Sequence, residues 1–253
     1  MIGFEAIVFI GSLVVSLLYA WLGLAYAVAL ILILHAIGVE ISVVLPVVLA
    51  SQVIAAFLGS ILRRKSSANR SIRNPIIIAI AAIAAYTSAS SIGIALSDHA
   101  RLWGLMALLV VAAMLNMTSR ESNPASSRRN DLSISIVAGL SSGVIKGVLG
   151  GGITPMLIAI QRFGKIDIDE TLFRTLFAQT IICLTALIPY ALAFGFDFKL
   201  FTMVSLGSIA GVALGYKLIA PISRELRVKL VSLVMIFLAL ALFIKLLLEV
   251  ICV

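Results

Sequence analysis

The sequence predicts an all-α polytopic membrane protein made of two inverted repeats, each combining a broken or paired short helix with three transmembrane helices. Of its 253 residues, 62% are hydrophobic and only 12% are charged, and the mean hydropathy is +1.20. Apolar runs of roughly 18 residues or more recur along the chain, which is the length that a helix needs to cross a bilayer. A transmembrane barrel would instead show alternating strands of about ten residues. We therefore expect about eight to ten helical segments in the membrane.

Charge and cysteine usage argue against several other classes of protein. The formal net charge of +8 would suit a nucleic-acid-binding protein, but the charged residues sit in short loops between apolar runs, where a topology signal is expected. Cys183 and Cys252 lie in apolar stretches and predict neither a disulfide framework nor a metal site. The sequence shows no phosphate-binding loop, metal-ligand spacing, Ser/His/Asp set or dinucleotide fingerprint. We expect no enzyme activity, no cofactor and no nucleic-acid partner.

An ungapped shift of 127 positions aligns the two halves of the sequence. Under this shift residues 22–23, Leu-Gly, fall on the Leu-Gly pair at 149–150, and Gln52 falls on Gln179. Each half then contains one long interrupted apolar run followed by three ordinary spans. The predicted organisation is a first repeat at 1–117, a polar linker at 118–132 and a second repeat at 133–253.

The predicted helical segments follow from the apolar runs. The interrupted runs cover about 6–37 and 133–160, and we expect each to be broken near its glycines. The ordinary spans are predicted at 43–62, 76–96 and 102–117 in the first half, and at 172–194, 200–218 and 228–250 in the second half.

The distribution of Lys and Arg orients the two halves. If each interrupted run enters the membrane and returns as two short helices, the segments 63–74, 118–132, 161–174 and 219–229 share one side. They then hold fourteen Lys and Arg residues, against two on the other side. If each run crosses only once, the count is nine against seven, so the positive-inside rule favours the first arrangement. Each half then crosses an odd number of times, which inverts the halves, leaves both termini outside and makes the linker cytoplasmic.

Three consecutive glycines at 150–152 interrupt an apolar stretch of the second half. Thr154 and Pro155 follow with the pattern of a helix start, in which a polar capping side chain precedes a residue without an N–H group. A short helix at 153–160 would therefore begin inside the membrane. Its free N–H groups and its dipole would attract an anion, and glycines leave the backbone open to close approach.

Lys146 lies one helical turn before these glycines. A charge at membrane depth is expensive and usually marks a functional site, so we expect Lys146 to pair with a bound anion. The alternative is that Lys146 snorkels to the membrane surface and that the glycines only allow close helix packing.

Other polar residues in the apolar runs are candidates for the same site. Gln52 and Gln179 occupy equivalent places near the middle of two spans, where an amide either donates to an oxyanion or bonds to another helix. Tyr19 stands where Lys146 does in the other half. Tyr19, Trp21 and Tyr26 either wall the site or lie at the membrane interface, and the interface is the favoured position. No Asp or Glu lies clearly in the middle of a predicted span, so no carboxylate-based proton or sodium site is expected.

With these motifs in view, the chain resembles the TauE/SafE family of sulfite and organosulfonate exporters, and the match is best in the second half. Residues 138–143 lead through Gly147 to the glycines at 150–152 and then to Pro155, which is similar to the glycine-rich first helix of a repeat in that family. Residues 207–217 and Arg224 are similar to the end of such a repeat, whereas the first half resembles the family only in layout. The resemblance implies movement of small sulfur-containing anions such as sulfite, thiosulfate or sulfonates.

Together these observations predict a secondary transporter of the plasma (inner) membrane that moves such an anion by alternating access around the glycine-rich break. Export is implied by the resemblance. The alternatives are an anion channel with the same site and a non-transporting membrane scaffold subunit. The expected partners are the small anion and the lipid bilayer, and the oligomeric state stays open. The candidate substrate-binding residues are Lys146, Gly150, Gly151, Gly152, Thr154, Gln179 and Gln52.

Overall fold

The computed structural model describes residues 2–23, 25–65, 71–118, 131–217 and 224–251. Within these ranges the chain forms ten helices and no strand, which confirms the predicted all-α class. The helices of the first half are α1 (Ile2–Leu22), α2 (Tyr26–Ala36), α3 (Ile41–Lys65), α4 (Arg73–Ala95) and α5 (Asp98–Thr118). Those of the second half are α6 (Asp131–Leu149), α7 (Ile153–Phe163), α8 (Ile168–Phe194), α9 (Phe198–Lys217) and α10 (Arg224–Ile251).

Eight of the described helices are long and apolar enough to cross a membrane. The other two, α2 and α7, have 11 residues each. At about 1.5 Å per residue they are roughly half as long as the hydrocarbon core is thick. Large apolar side chains such as Ile80, Leu192 and Phe237 are more than half exposed on the outer surface of the bundle, where lipid would contact them. The protein is therefore a multi-pass membrane protein.

Both predicted breaks are present. α1 ends at Leu22 and α2 begins at Tyr26, while α6 ends at Leu149 and α7 begins at Ile153. Gly23, Gly150 and Gly152 have φ values of 77°, 72° and 79°, a conformation that residues with a β-carbon rarely adopt. The glycines therefore stop one helix and redirect the chain into the next. Most of the predicted linker 118–132 lies outside the described residues.

Polar contacts place the starts of α4, α6 and α8 on one face of the bundle. The Nδ2 of Asn74, at the start of α4, donates to Oδ2 of Asp131 at the start of α6 over 2.6 Å. Arg174, near the start of α8, forms an ion pair with the same carboxylate. Nδ2 of Asn116 donates to Oγ of Ser232 over 2.9 Å, which places the end of α5 beside the N-terminal part of α10.

A second set of contacts marks the opposite face. Nζ of Lys199, at the start of α9, lies 2.8 Å from Oε1 of Glu5 at the start of α1. Glu40, in the turn between α2 and α3, lines the same surface depression as Lys199 and Asp197. α1 and α6 therefore begin on opposite faces, and the inverted relation of the two halves stays a prediction. Which face is cytoplasmic stays a prediction from the positive-inside rule.

The four most extensive helix pairs map onto one another when the two sets of five helices are exchanged, although α7 packs on α5 more closely than α2 packs on α10. α1 packs against α9 and α6 packs against α4, while α3 packs against α8 and α5 against α10. Glycines allow the first two pairs to approach closely. A β-carbon at Gly143 would lie 2.1 Å from the carbonyl oxygen of Ala82, and one at Gly211 would lie 2.2 Å from that of Leu13. This packing brings α3 and α8 together at the centre of the bundle, beside the two breaks.

Candidate functional site

Polar side chains from five helices meet at the centre of the bundle, next to the second break. Lys146 comes from α6, Gln52 from α3, Thr154 from α7 and Gln179 from α8, and each of them is at most 1% exposed. Tyr19 of α1 is also fully buried beside them. The structure therefore brings together the four candidate side chains predicted from the sequence, and it adds that of Tyr19 from the first half.

Lys146 of the second half forms a hydrogen bond with a residue of the first half. Its Nζ donates to Oε1 of Gln52 over 3.3 Å, and the same oxygen accepts a hydrogen bond from Sγ of Cys183 over 3.3 Å. Among the described residues no carboxylate forms an ion pair with Lys146. The alternative in which Lys146 snorkels to the surface is wrong, because none of its side chain is exposed.

Gln179 links the break to the first half. Its Nε2 donates to Oγ1 of Thr154 over 2.7 Å, and its Oε1 accepts from the Tyr19 hydroxyl over 2.8 Å. Thr154 does not cap α7 as its position in the sequence suggested. The N-cap residue is Gly152, and no side chain caps this helix end. Because Thr154 lies inside the first turn, its hydroxyl faces α8 and leaves the helix terminus open.

The two interhelical hydrogen bonds correspond under the 127-residue shift. Adding 127 to Tyr19 gives Lys146, and adding 127 to Gln52 gives Gln179. Lys146 contacts the glutamine of the first half, and Tyr19 contacts the glutamine of the second half. Each bond therefore joins the first helix of one half to a central helix of the other half.

A second pair of contacts obeys the same shift. The guanidinium of Arg63 donates to the carbonyl oxygen of Ala20 over 2.7 Å at the end of α1. The hydroxyl of Tyr190 donates to the carbonyl oxygen of Gly147 over 3.2 Å at the end of α6. Each member of the first pair lies 127 residues before its counterpart in the second. The sequence reasoning missed Arg63, Tyr190 and Cys183, although the shift itself contained the signal for the first two.

Tyr19 and Tyr26 of the first half are buried inside the bundle and are not interfacial. Tyr19 and Tyr26 are fully buried, so the favoured interpretation was wrong for both. The Tyr26 hydroxyl donates to Oγ of Ser51 over 2.8 Å and lies 2.6 Å from Oγ of Ser208. Its ring centroid is 5.3 Å from that of Tyr19. Tyr26 thus closes the cluster on the side of the first break, whereas Trp21 is only partly buried.

The three glycines of the second break are both turn residues and packing residues. A β-carbon at Gly150 would lie 2.9 Å from Cδ2 of Leu45, and one at Gly152 would lie 2.7 Å from Cδ2 of Leu108. A β-carbon at Gly151 would lie 3.3 Å from Cδ1 of Ile31. Side chains of the first half therefore enclose the start of α7. The glycines allow this close packing, as the alternative interpretation expected, and they also form the break.

The groups in this cluster are mostly hydrogen-bond donors or can act as donors. It combines one ammonium group, two amides, two hydroxyls and the N-terminus of a helix, whose first N–H groups have no partner within the helix. Carboxylates within the described ranges lie at helix ends and in turns rather than in this cluster. No group of three or more His, Cys, Asp or Glu side chains is placed to hold a metal ion in that part of the chain.

A family model described as "Sulfite exporter TauE/SafE" matches residues 8–242. The chain belongs to the TauE/SafE family. The resemblance predicted from the glycine motif is confirmed, and it extends over both halves rather than mainly the second. TauE/SafE proteins are membrane transporters of the sulfite-exporter type, and the match includes every residue of the central cluster. No curated protein and no solved structure matches this TauE/SafE chain.

Proposed function

We propose that this TauE/SafE protein is a plasma-membrane secondary transporter that exports a small sulfur-containing oxyanion by alternating access between two inverted repeats. Sulfite, thiosulfate and small sulfonates are the candidate substrates. The observation that carries the proposal is Lys146, a fully buried lysine that forms no ion pair with a described carboxylate and contacts an amide of the opposite half.

The energetics of a buried charge favour an anionic ligand. A buried ammonium without a counter-ion costs several kcal/mol, and a neutral acceptor such as Oε1 of Gln52 offsets only part of that cost. A bound oxyanion supplies the missing negative charge. Its oxygens would then accept hydrogen bonds from Lys146, from the amides of Gln52 and Gln179, and from the first N–H groups of α7.

The closed geometry favours a carrier over a channel. The central side chains are at most 1% exposed, so no open path reaches them from either face in this conformation. The Lys146–Gln52 and Tyr19–Gln179 contacts each join the two halves. Release of one contact at a time would open the site to one side and then to the other. With the basic face in the cytoplasm, the membrane potential drives anion exit at about 2.3 kcal/mol per charge per 100 mV.

Uptake of labelled sulfite, thiosulfate and methanesulfonate into proteoliposomes tests this function, with acetate and chloride as control anions. Lys146→Ala should lower the flux at least tenfold, while Lys217→Ala, which removes an exposed lysine at the end of α9, should leave it unchanged. Both variants are checked for folding by size-exclusion chromatography. Folded wild-type protein that moves none of the three sulfur anions would contradict the proposal.

Counterflow separates the alternatives that share this site. A carrier preloaded with unlabelled anion accumulates labelled anion transiently, whereas a channel equilibrates it without an overshoot. A scaffold subunit shows neither flux nor stabilisation by the anion. A transient overshoot in wild-type vesicles is the result that the proposed mechanism requires.

A further inference from the structure

The central cluster carries one formal positive charge. Lys146 supplies it, while Gln52, Gln179 and Thr154 are neutral. Arg63 is another buried cation and contacts the first break, where its guanidinium donates to the carbonyl oxygens of Ala20 and Trp21 over 2.7 and 3.4 Å. Those carbonyls carry the partial negative charge of the end of α1 and offset part of the charge of Arg63.

Residue 19 is equivalent to Lys146 under the 127-residue shift. Because residue 19 is a tyrosine, the site has one ammonium group, although the arrangement of the helices has a place for two. Tyr19 occupies the position in α1 that Lys146 occupies in α6, and it makes the equivalent contact with the opposite glutamine. A lysine at this position would give the site two ammonium groups. The tyrosine instead supplies a neutral hydroxyl, and its side chain is as fully buried as that of Lys146.

We propose that the site selects monovalent oxyanions over divalent ones, so that its substrates are sulfonates and singly charged sulfite rather than thiosulfate or sulfate. This inference rests on the proposed function. In a buried site one ammonium neutralises one negative charge, and a second negative charge stays uncompensated in a medium of low dielectric constant. The N-terminus of α7 adds only a partial positive charge, which favours any anion.

The consequence is a measurable difference between two anions of similar shape. Methanesulfonate and thiosulfate share a tetrahedral –SO3 group, and they differ chiefly in a methyl group against a sulfur atom and in one unit of charge. We expect purified wild-type protein to bind methanesulfonate at least about tenfold more tightly than thiosulfate, because buried uncompensated charge is strongly unfavourable. Equal or tighter binding of thiosulfate would overturn the inference.

Substitution of Tyr19 tests the origin of the preference. Tyr19→Lys adds a second ammonium at the pseudo-symmetric position and should shift the affinity ratio at least about tenfold toward thiosulfate. Tyr19→Phe keeps the charge and should keep the wild-type ratio. An unchanged ratio in folded Tyr19→Lys protein would overturn the inference. If that variant does not fold, the wild-type ratio alone decides.

Flux measurements keep this inference separate from the proposed function. A wild-type protein that transports sulfite but binds thiosulfate as tightly as methanesulfonate overturns only the charge preference. A folded protein that transports none of the three anions overturns the proposed function and the preference with it. Equilibrium dialysis with each labelled anion, at constant ionic strength, gives the two dissociation constants directly.

Discussion

Replacement of Gln179 by leucine removes both hydrogen bonds of the central amide at once. In the native structure its Nε2 donates to Thr154 over 2.7 Å and its Oε1 accepts from Tyr19 over 2.8 Å, and all three side chains are buried. Leucine fills a similar volume without polar atoms. The substitution therefore isolates the hydrogen-bonding role of Gln179 from its packing.

Gln179→Leu should lower both the free energy of unfolding and the affinity for the anion. A hydrogen bond between membrane helices contributes about 0.6 kcal/mol and at most about 1.7 kcal/mol, so two such bonds predict a loss of about 1–3 kcal/mol. The Thr154 hydroxyl recovers part of this loss by bonding to its own backbone. A hydrogen bond to a charged ligand contributes about 1.5–3 kcal/mol, and its loss weakens anion binding about tenfold to a hundredfold.

A matched control is available on the same pair of helices. Gln161 of α7 is fully buried, and its Nε2 donates to Oγ1 of Thr175 on α8 and to the carbonyl oxygen of Leu157, both over 3.0 Å. Gln161→Leu removes one interhelical hydrogen bond instead of two, so it should destabilise the protein by about 0.6–1.7 kcal/mol and leave transport within about twofold of wild type. Thermal unfolding in detergent and flux in proteoliposomes measure the two effects. Wild-type flux in Gln179→Leu would refute the assignment of Gln179 to the site.

Three further predictions concern the scaffold around the site. Gly143→Ala places a β-carbon against the backbone of α4 and should destabilise the protein by about 1–3 kcal/mol in thermal unfolding, a result that an unchanged melting temperature would contradict. Arg174→Gln leaves a partly buried carboxylate without its ion pair and should cost about 1–3 kcal/mol, whereas Lys199→Gln removes an exposed pair and should produce no measurable shift. In a background with Cys252 replaced by serine, Lys165→Cys should react with an impermeant thiol reagent only from the cytoplasmic side, and Lys199→Cys only from the outer side. Labelling of both from one side would refute the predicted arrangement of the faces.

The helices and breaks were predictable because their signals are local. Hydropathy fixes which stretches cross a membrane, and glycines fix where a helix stops, so the spans and the breaks before Tyr26 and Ile153 follow from short windows of sequence. Lys146 was predictable for a similar reason, since an ionisable residue in an apolar span is costly wherever the rest of the chain lies.

The contacts of the site depend on packing between distant segments, which the sequence does not specify directly. Tyr19 was assigned to the interface because tyrosine is common there, and only the approach of α1 to α8 shows that its hydroxyl reaches Gln179. Thr154 was assigned as a cap from its place after the glycines. Gly152 is the N-cap, so the helix begins two residues earlier than that assignment needs, and the Thr154 hydroxyl faces α8.

The shift of 127 residues was the one long-range signal in the sequence. It pairs Gln52 with Gln179 and Lys146 with Tyr19. In the structure Lys146 donates a hydrogen bond to Gln52, and Tyr19 donates one to Gln179. Because Tyr19 is equivalent to Lys146, the shift would also have predicted that Tyr19 lies in the candidate site. It also predicts that Arg63 and Tyr190 occupy equivalent places at the ends of α1 and α6, as they do.

Equilibrium binding of labelled methanesulfonate to purified protein, with Lys146→Gln beside the wild type and Lys217→Gln as the exposed-lysine control, shows whether the anion binds at the buried lysine. We expect saturable binding to one site per chain in the wild type and in Lys217→Gln, and a loss of at least about tenfold in affinity in folded Lys146→Gln. Equal affinity in all three proteins would contradict this expectation, because the anion would then bind somewhere other than the buried lysine.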